Sequence, residues 1–125
     1  MKRAIVMAAL ALVCVPAAAH ADGDPVKGKD VFKKCMACHV HDSTTNKIGP
    51  HLADVVGRKA GSVEGFKYSD AMKKKGEEGL VWTVENLTAY LHDPKAFVPG
   101  NKMAFVGLKN DADIANVIAY IQSKD

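Results

Sequence analysis

Large rings are scarce in this chain: one Trp, three Tyr and four Phe among 125 residues. So few cannot fill the centre of a domain of this size unaided. Cysteine numbers only three, and neither charge sign prevails, with 17 Lys and Arg against 14 Asp and Glu. That balance excludes nucleic acid as a partner. Also missing are an internal repeat, a glycine loop that could cradle phosphate, and a nucleophile set beside a base. Their absence removes solenoid scaffolds, nucleotide-driven chemistry and the common hydrolase mechanisms. The length supports one domain.

No apolar run is a convincing membrane span. The longest, 4–19, is short and alanine-rich, follows Lys2 and Arg3, and closes in Ala19-His20-Ala21. Small residues there stand where a signal peptidase cuts. Residues 1–21 are therefore expected to form a signal peptide removed before Asp22, leaving 22–125 as one periplasmic domain without a permanent membrane anchor. Cys14 sits within the apolar run behind Val13, not behind a small residue, and reads as apolar filler rather than a lipidation site.

Cys35 and Cys38 then remain, in a compartment where bare thiols oxidise or are capped. They stand in Cys35-Met36-Ala37-Cys38-His39, a C-x-x-C-H run whose recognised use is covalent attachment of haem. On a helical turn, residues three apart share a face, so both thiols can reach one macrocycle from the same side. His39, next in the chain, is placed to be the proximal ligand of the iron. A haem also supplies the buried apolar area that the aromatics do not. Two other readings compete. A disulfide or redox dithiol suits the spacing, but the βαβ context of such motifs is missing. A zinc site needs two further ligands, for which His41, His51 and His92 are available, yet no second Cys pair or close His pair completes the set.

The opposite face of the iron separates an electron carrier from an enzyme or sensor that binds peroxide, oxygen, CO or nitric oxide. Met36 lies inside the attachment run, on the proximal side, and Met72 in a lysine-rich helical stretch. Met103 lies in Pro99-Gly100-Asn101-Lys102-Met103-Ala104-Phe105, a turn-forming segment able to present sulfur. On the residues alone Met103 is the favoured distal ligand, with His51 and His92 as rivals.

Taken in order, Gly28 and Phe32 before the attachment run, Ile48-Gly49-Pro50-His51-Leu52, Gly57-Arg58-Lys59, Phe66-Lys67-Tyr68, Trp82, Tyr90-Leu91, Pro94, the Pro99 to Met103 run, Phe105-Val106-Gly107 and Ile118-Ala119-Tyr120 resemble the class I cytochromes c. The likeness to the soluble bacterial and mitochondrial carriers spans essentially all of 23–124. It implies one haem c, attached through Cys35 and Cys38, with His39 and Met103 as axial ligands. It further implies that the Pro50 carbonyl accepts the Nδ1 proton of His39, that Tyr68 and Trp82 bond haem propionates with Arg58 near one, and that Tyr90 bonds the methionine sulfur. The activity implied is electron transfer rather than enzymatic turnover. Met72 stands where close relatives often carry Asn.

Coarse patterning points the same way. Asp24-Pro25 is a helix start, as N-cap and first helical residue, and that helix is expected to run into the attachment motif. Stretches 69–75, 84–92 and 110–122 read as three more helices, the second of these stopped before Pro94 and the last carrying Ile114, Val117, Ile118 and Ile121 at helical spacing. The last helix is expected to pack on the first near Gly28 and Phe32. Between His39 and Tyr68 there are loop signals and no strand run, so the expected fold is all-α, with helices and long loops wrapped around the haem. The remaining histidines read as surface or loop residues.

Lys33 and Lys34 flank the attachment motif, and Lys95, Lys102 and Lys109 flank the methionine segment. A lysine ring at a haem edge steers an acidic partner. The expected partners are membrane-bound or periplasmic redox proteins, such as a quinol-oxidising cytochrome bc complex and a terminal oxidase or reaction centre, met by a monomer. Lys73-Lys74-Lys75 reads as a solvated face.

Overall fold

In the computed structural model, residue 11 and residues 23–123 are described. The expected signal peptide over 1–21 lies outside them apart from residue 11, and no helix among the described residues is long and apolar enough to cross a membrane.

The first helix, α1 (Pro25–Phe32), begins where its local chemistry demands. The Asp24 carboxylate accepts from the amides of Val26 at 2.9 Å and Lys27 at 3.4 Å. Pro25 brings a preset φ to the first position, where no amide hydrogen is needed. The helix stops at Phe32 rather than running on through the motif, and tight turns carry the chain to His39. Three further helices start on equally plain caps: α2 (Asp70–Glu77) on Ser69, α3 (Val84–His92) on Thr83, and, later in the chain, α5 (Asp111–Gln122) on Asn110. Each such cap contributes about 1 kcal/mol.

A one-turn helix, α4 (Pro94–Phe97), was not expected. Pro94 ends α3 because it has no amide to donate, and the same fixed φ opens a new turn, capped by Asp93, whose carboxylate accepts from the Ala96 amide at 3.2 Å.

The frame is α1 packed on α5. A side chain at Gly28 would fall on the carbonyl of Asn116, so only glycine lets the two backbones meet there. The Asp24 amide donates to Asn116 Oδ1 at 2.8 Å. One turn on, the Phe32 and Tyr120 rings are 5.3 Å apart. Ile114, Val117 and Ile118 bury the inner stripe of α5, each contributing roughly 1.5–3 kcal/mol. His41 lies in a loop, one of the two places expected for it, but not at the surface. It is 8% exposed, its ring 4.4 Å from Tyr120 and 5.2 Å from Phe32. The helix pair needs a third ring to close over it.

The rest is all-α with long connections, as expected. Among the described residues the one piece of sheet-like pairing is an isolated antiparallel bridge, Lys59 with Val81. Beside it the Trp82 amide donates to the Arg58 carbonyl at 2.8 Å and the Gly57 amide to the Trp82 carbonyl at 2.8 Å. This pairing sets Arg58 next to Trp82.

Candidate haem site

The attachment motif is a coil of mixed turns. The amides of Cys35 and Met36 donate to the Phe32 carbonyl at 2.8 and 3.0 Å, and those of Cys38 and His39 to the Cys35 carbonyl at 3.0 and 2.9 Å. Cys35 and Cys38 are both half-buried. Burial pushes the Cys35 thiol up, against the opposing pull of Lys34. A redox dithiol needs a lowered thiol, so this environment speaks against that reading.

His39 Nδ1 lies 2.8 Å from the Pro50 carbonyl oxygen. A carbonyl can only accept, so Nδ1 carries the hydrogen and Nε2 keeps its lone pair. Burial lowers the pKa of His39, the Pro50 bond opposes this, and the charges of Arg58 and Lys47 lower it further. The imidazole is neutral at neutral pH, the form that binds metal. The backbone of Gly49 lies against the ring, where a Cβ would strike it. Its amide donates to the Cys38 carbonyl at 2.8 Å, while Lys47 Nζ donates to the Met36 carbonyl at 2.9 Å. Neither the close approach at Gly49 nor the lysine bond was expected, since both join segments that nothing in the spacing connects.

The methionine segment meets α3. The Tyr90 hydroxyl lies 3.9 Å from Met103 Sδ, a donor on a weak sulfur acceptor. Burial pushes the Tyr90 phenol up to about 12. The Trp82 ring packs 4.9 Å from that of Tyr90. Of the rival histidines, His92 is engaged elsewhere, its Nδ1 3.3 Å from the Leu108 carbonyl, while His51 lies within the electrostatic reach of Arg58.

Arg58 Nη1 donates to the Ala53 carbonyl at 3.2 Å, but its Nε is buried without a partner, as is Nδ1 of His51. Burial lowers His51, the Arg58 charge lowers it further, and Asp54 opposes both. Tyr68 accepts from the Val63 amide at 2.9 Å, which leaves its own hydrogen to donate. The orphaned nitrogens of Arg58 and His51, beside that spare phenolic hydrogen, are costly in the absence of an acceptor. Carboxylates of a haem satisfy such a corner, and the residues present therefore fit the group. Met72 is buried in the core, and Met36 is 54% exposed on the motif.

The cytochrome c family model matches residues 25–125. The chain belongs to the cytochrome c family. It is similar to cytochrome c2 of Rhodomicrobium vannielii, 52% identical over 121 residues, which cover 96% of this chain and 94% of the relative. It is also similar to cytochrome c-550 of Ancylobacter novellus, 48% identical over 100 residues, covering 79% of this chain and 94% of that one. Among solved structures, cytochrome c2 from Rhodospirillum centenum superposes with a TM-score of 0.74 at 42% identity, over 80% of this chain and 97% of that chain. Cytochromes c carry one covalent haem c, and Cys35 and Cys38 have the spacing for it. They are electron carriers, not enzymes, and this cytochrome c is a mono-haem carrier.

Proposed function

We propose that residues 22–125, freed of a signal peptide over 1–21, move single electrons between redox complexes in the periplasm as a monomer. Cys35 and Cys38 tether the haem. His39 and Met103 are its axial ligands, and Pro50, Arg58, Tyr68, Trp82 and Tyr90 are the residues that bind and tune it. When bound, the haem supplies a one-electron ferric/ferrous couple.

The protein's part is orientation and electrostatics. Pro50 takes the Nδ1 hydrogen of His39, which fixes the tautomer and strengthens Nε2 as a donor. The Tyr90 hydroxyl draws density from the Met103 sulfur and limits its swing. Arg58, with Tyr68 and Trp82, receives the carboxylates, so that their charge is not buried alone.

The contact between Tyr90 and Met103 carries this reading, because a sulfur already held by the core supports a closed distal side. The test is a reduced spectrum with and without CO at neutral pH. Indifference to CO is expected, with prompt binding in Met103→Ala. Prompt binding by the unaltered protein would overturn the assignment of Met103.

The exposed lysines supply the docking charge. Lys34, Lys95 and Lys102 are exposed. Lys33 is paired with Asp30 at 2.9 Å at the exposed surface, where such a pair is weak, and Lys109 Nζ donates to the His92 carbonyl at 2.7 Å. The partners are acidic faces of membrane-bound or periplasmic redox proteins, such as a cytochrome bc complex and a terminal oxidase or reaction centre.

A further inference from the structure

The segment that presents Met103 makes few backbone hydrogen bonds of its own. The Asn101 amide donates to the Val98 carbonyl at 3.1 Å, and the Phe105 amide donates to the Met103 carbonyl at 3.0 Å. Met103's own amide is held by a side chain: it donates to Asn101 Oδ1 at 2.9 Å. The same carboxamide turns its Nδ2 hydrogens to two carbonyls, Pro94 at 2.9 Å and Val98 at 2.8 Å. Both belong to fixed points. Pro94 and Val98 are among the fully buried side chains, Val98 being 0% exposed.

Asn101 thus spends both donors and an acceptor in joining the two buried ends of the α4 turn, Pro94 and its C-cap Val98, to the amide of Met103. No other residue type makes the same three bonds from one short side chain. Aspartate has the shape but turns a second oxygen on the two carbonyls. Serine and threonine offer a single donor, and glutamine is one methylene too long.

We infer that Asn101 is the positioning residue of the distal ligand, a carboxamide clamp that holds the Met103 backbone on α4 and so sets how readily its sulfur yields the iron to another ligand. This rests on Met103 being that ligand. The clamp acts on Met103 from the backbone side, while Tyr90 acts on the sulfur from α3. The two are independent restraints on one side chain.

The experiment uses the haem-loaded ferric protein and added imidazole, which competes for the distal position. It is followed by the weak absorbance band of sulfur bound to ferric iron, with helix circular dichroism in denaturant run alongside. Asn101→Asp keeps size and shape and is expected to bind imidazole at least about tenfold more tightly, the loss of one or two hydrogen bonds at a restrained site. Lowering the pH to protonate the new carboxyl restores a donor and is expected to recover part of the difference. Asn101→Ser, with one donor and one acceptor, is expected to fall between, and it serves if the aspartate variant does not mature. The denaturant midpoint is expected to move far less than the imidazole affinity. Imidazole binding within about twofold of the unaltered protein in both variants would overturn the clamp, as would a gain in imidazole affinity matched by an equal loss of global stability. If the unaltered protein lacks the sulfur band and binds imidazole as Met103→Ala does, the ligand assignment itself fails, and the clamp with it.

Discussion

The hydroxyl of Tyr90 faces the sulfur of Met103 across 3.9 Å, so a residue of a regular helix restrains one from an irregular segment. Burial pushes the Tyr90 phenol from 10 up to about 12. In the unfolded chain the phenol ionises first, so the folded state binds more protons between these values. The stability from this group is fully present below pH 10 and is lost as pH rises towards about 12, an amount of roughly 2–3 kcal/mol. Tyr90→Phe keeps the ring and removes the proton. Its unfolding free energy should fall less steeply over that interval than that of the unaltered protein, while its sulfur band should fade at a lower pH. Equal slopes in denaturant titrations across the interval would refute the assignment.

Gly28 supplies a second test, because two tendencies oppose one another there. Alanine is the better helix former by about 1 kcal/mol. Its methyl, however, would land on the Asn116 carbonyl, and overpacking of this kind costs about 1–3 kcal/mol, with backbone rather than a yielding side chain on the other side. Gly28→Ala should therefore lower the denaturant midpoint. A gain in stability would mean that α1 and α5 are not held this closely.

Local chemistry was legible where one or two residues decide an element. Asp24-Pro25 and Asn110 announce their helices through capping oxygens, and the stripe on α5 follows from spacing, whereas the caps at Ser69 and Thr83 are seen in the fold. Cys35, Cys38 and His39 are similarly explicit, since their chemistry requires adjacency. Other features depend on what the fold brings together. His41 is adjacent to nothing aromatic in the chain, and only the meeting of α1 with α5 buries it. Pro94 reads as a helix stop, and that it also starts α4 depends on Asp93 turning back to cap it. The links from Asn101 to Pro94 and Val98 are short in sequence, yet an asparagine after glycine reads first as turn chemistry. The unsatisfied nitrogens of Arg58 and His51 have no signature in spacing at all.

The double variant Cys35→Ala/Cys38→Ala tests how much of the fold depends on the cofactor. α1 and α5 have each other, but the long loop from 40 to 69 sends only a few side chains, such as Val55, Ala60 and Tyr68, into the core and is otherwise tied by single hydrogen bonds, such as the His51 amide to Asn46 at 3.0 Å and Arg58 to the Ala53 carbonyl at 3.2 Å. Ordering a loop residue costs about 1–2 kcal/mol in backbone entropy, which bonds of this kind do not offset singly. The variant should leave no haem on the denatured polypeptide by mass and should lose most of its helical circular dichroism. Native-like helix content without haem would show that the polypeptide core suffices.

Charge decides the last case. Lys34 beside the attachment motif and Lys102 beside Met103 are exposed, as is Lys74 on α2, so the three should be equally tolerated by the fold and differ only in place. If partners dock at the edge ringed by the first two, Lys34→Glu and Lys102→Glu should each slow oxidation by a membrane-bound oxidase or reaction centre about three- to tenfold at low ionic strength. Lys74→Glu changes net charge by the same amount and should leave the rate near that of the unaltered protein. The differences should shrink as salt rises past about 0.15 M, where the screening length falls to about 8 Å. Equal slowing by all three substitutions would mean that net charge, not a docking edge, steers the encounter. Rates indifferent to salt would remove electrostatic steering altogether and leave contact through apolar residues such as Val106, 80% exposed three residues beyond Met103, as the remaining way for a partner to find this edge.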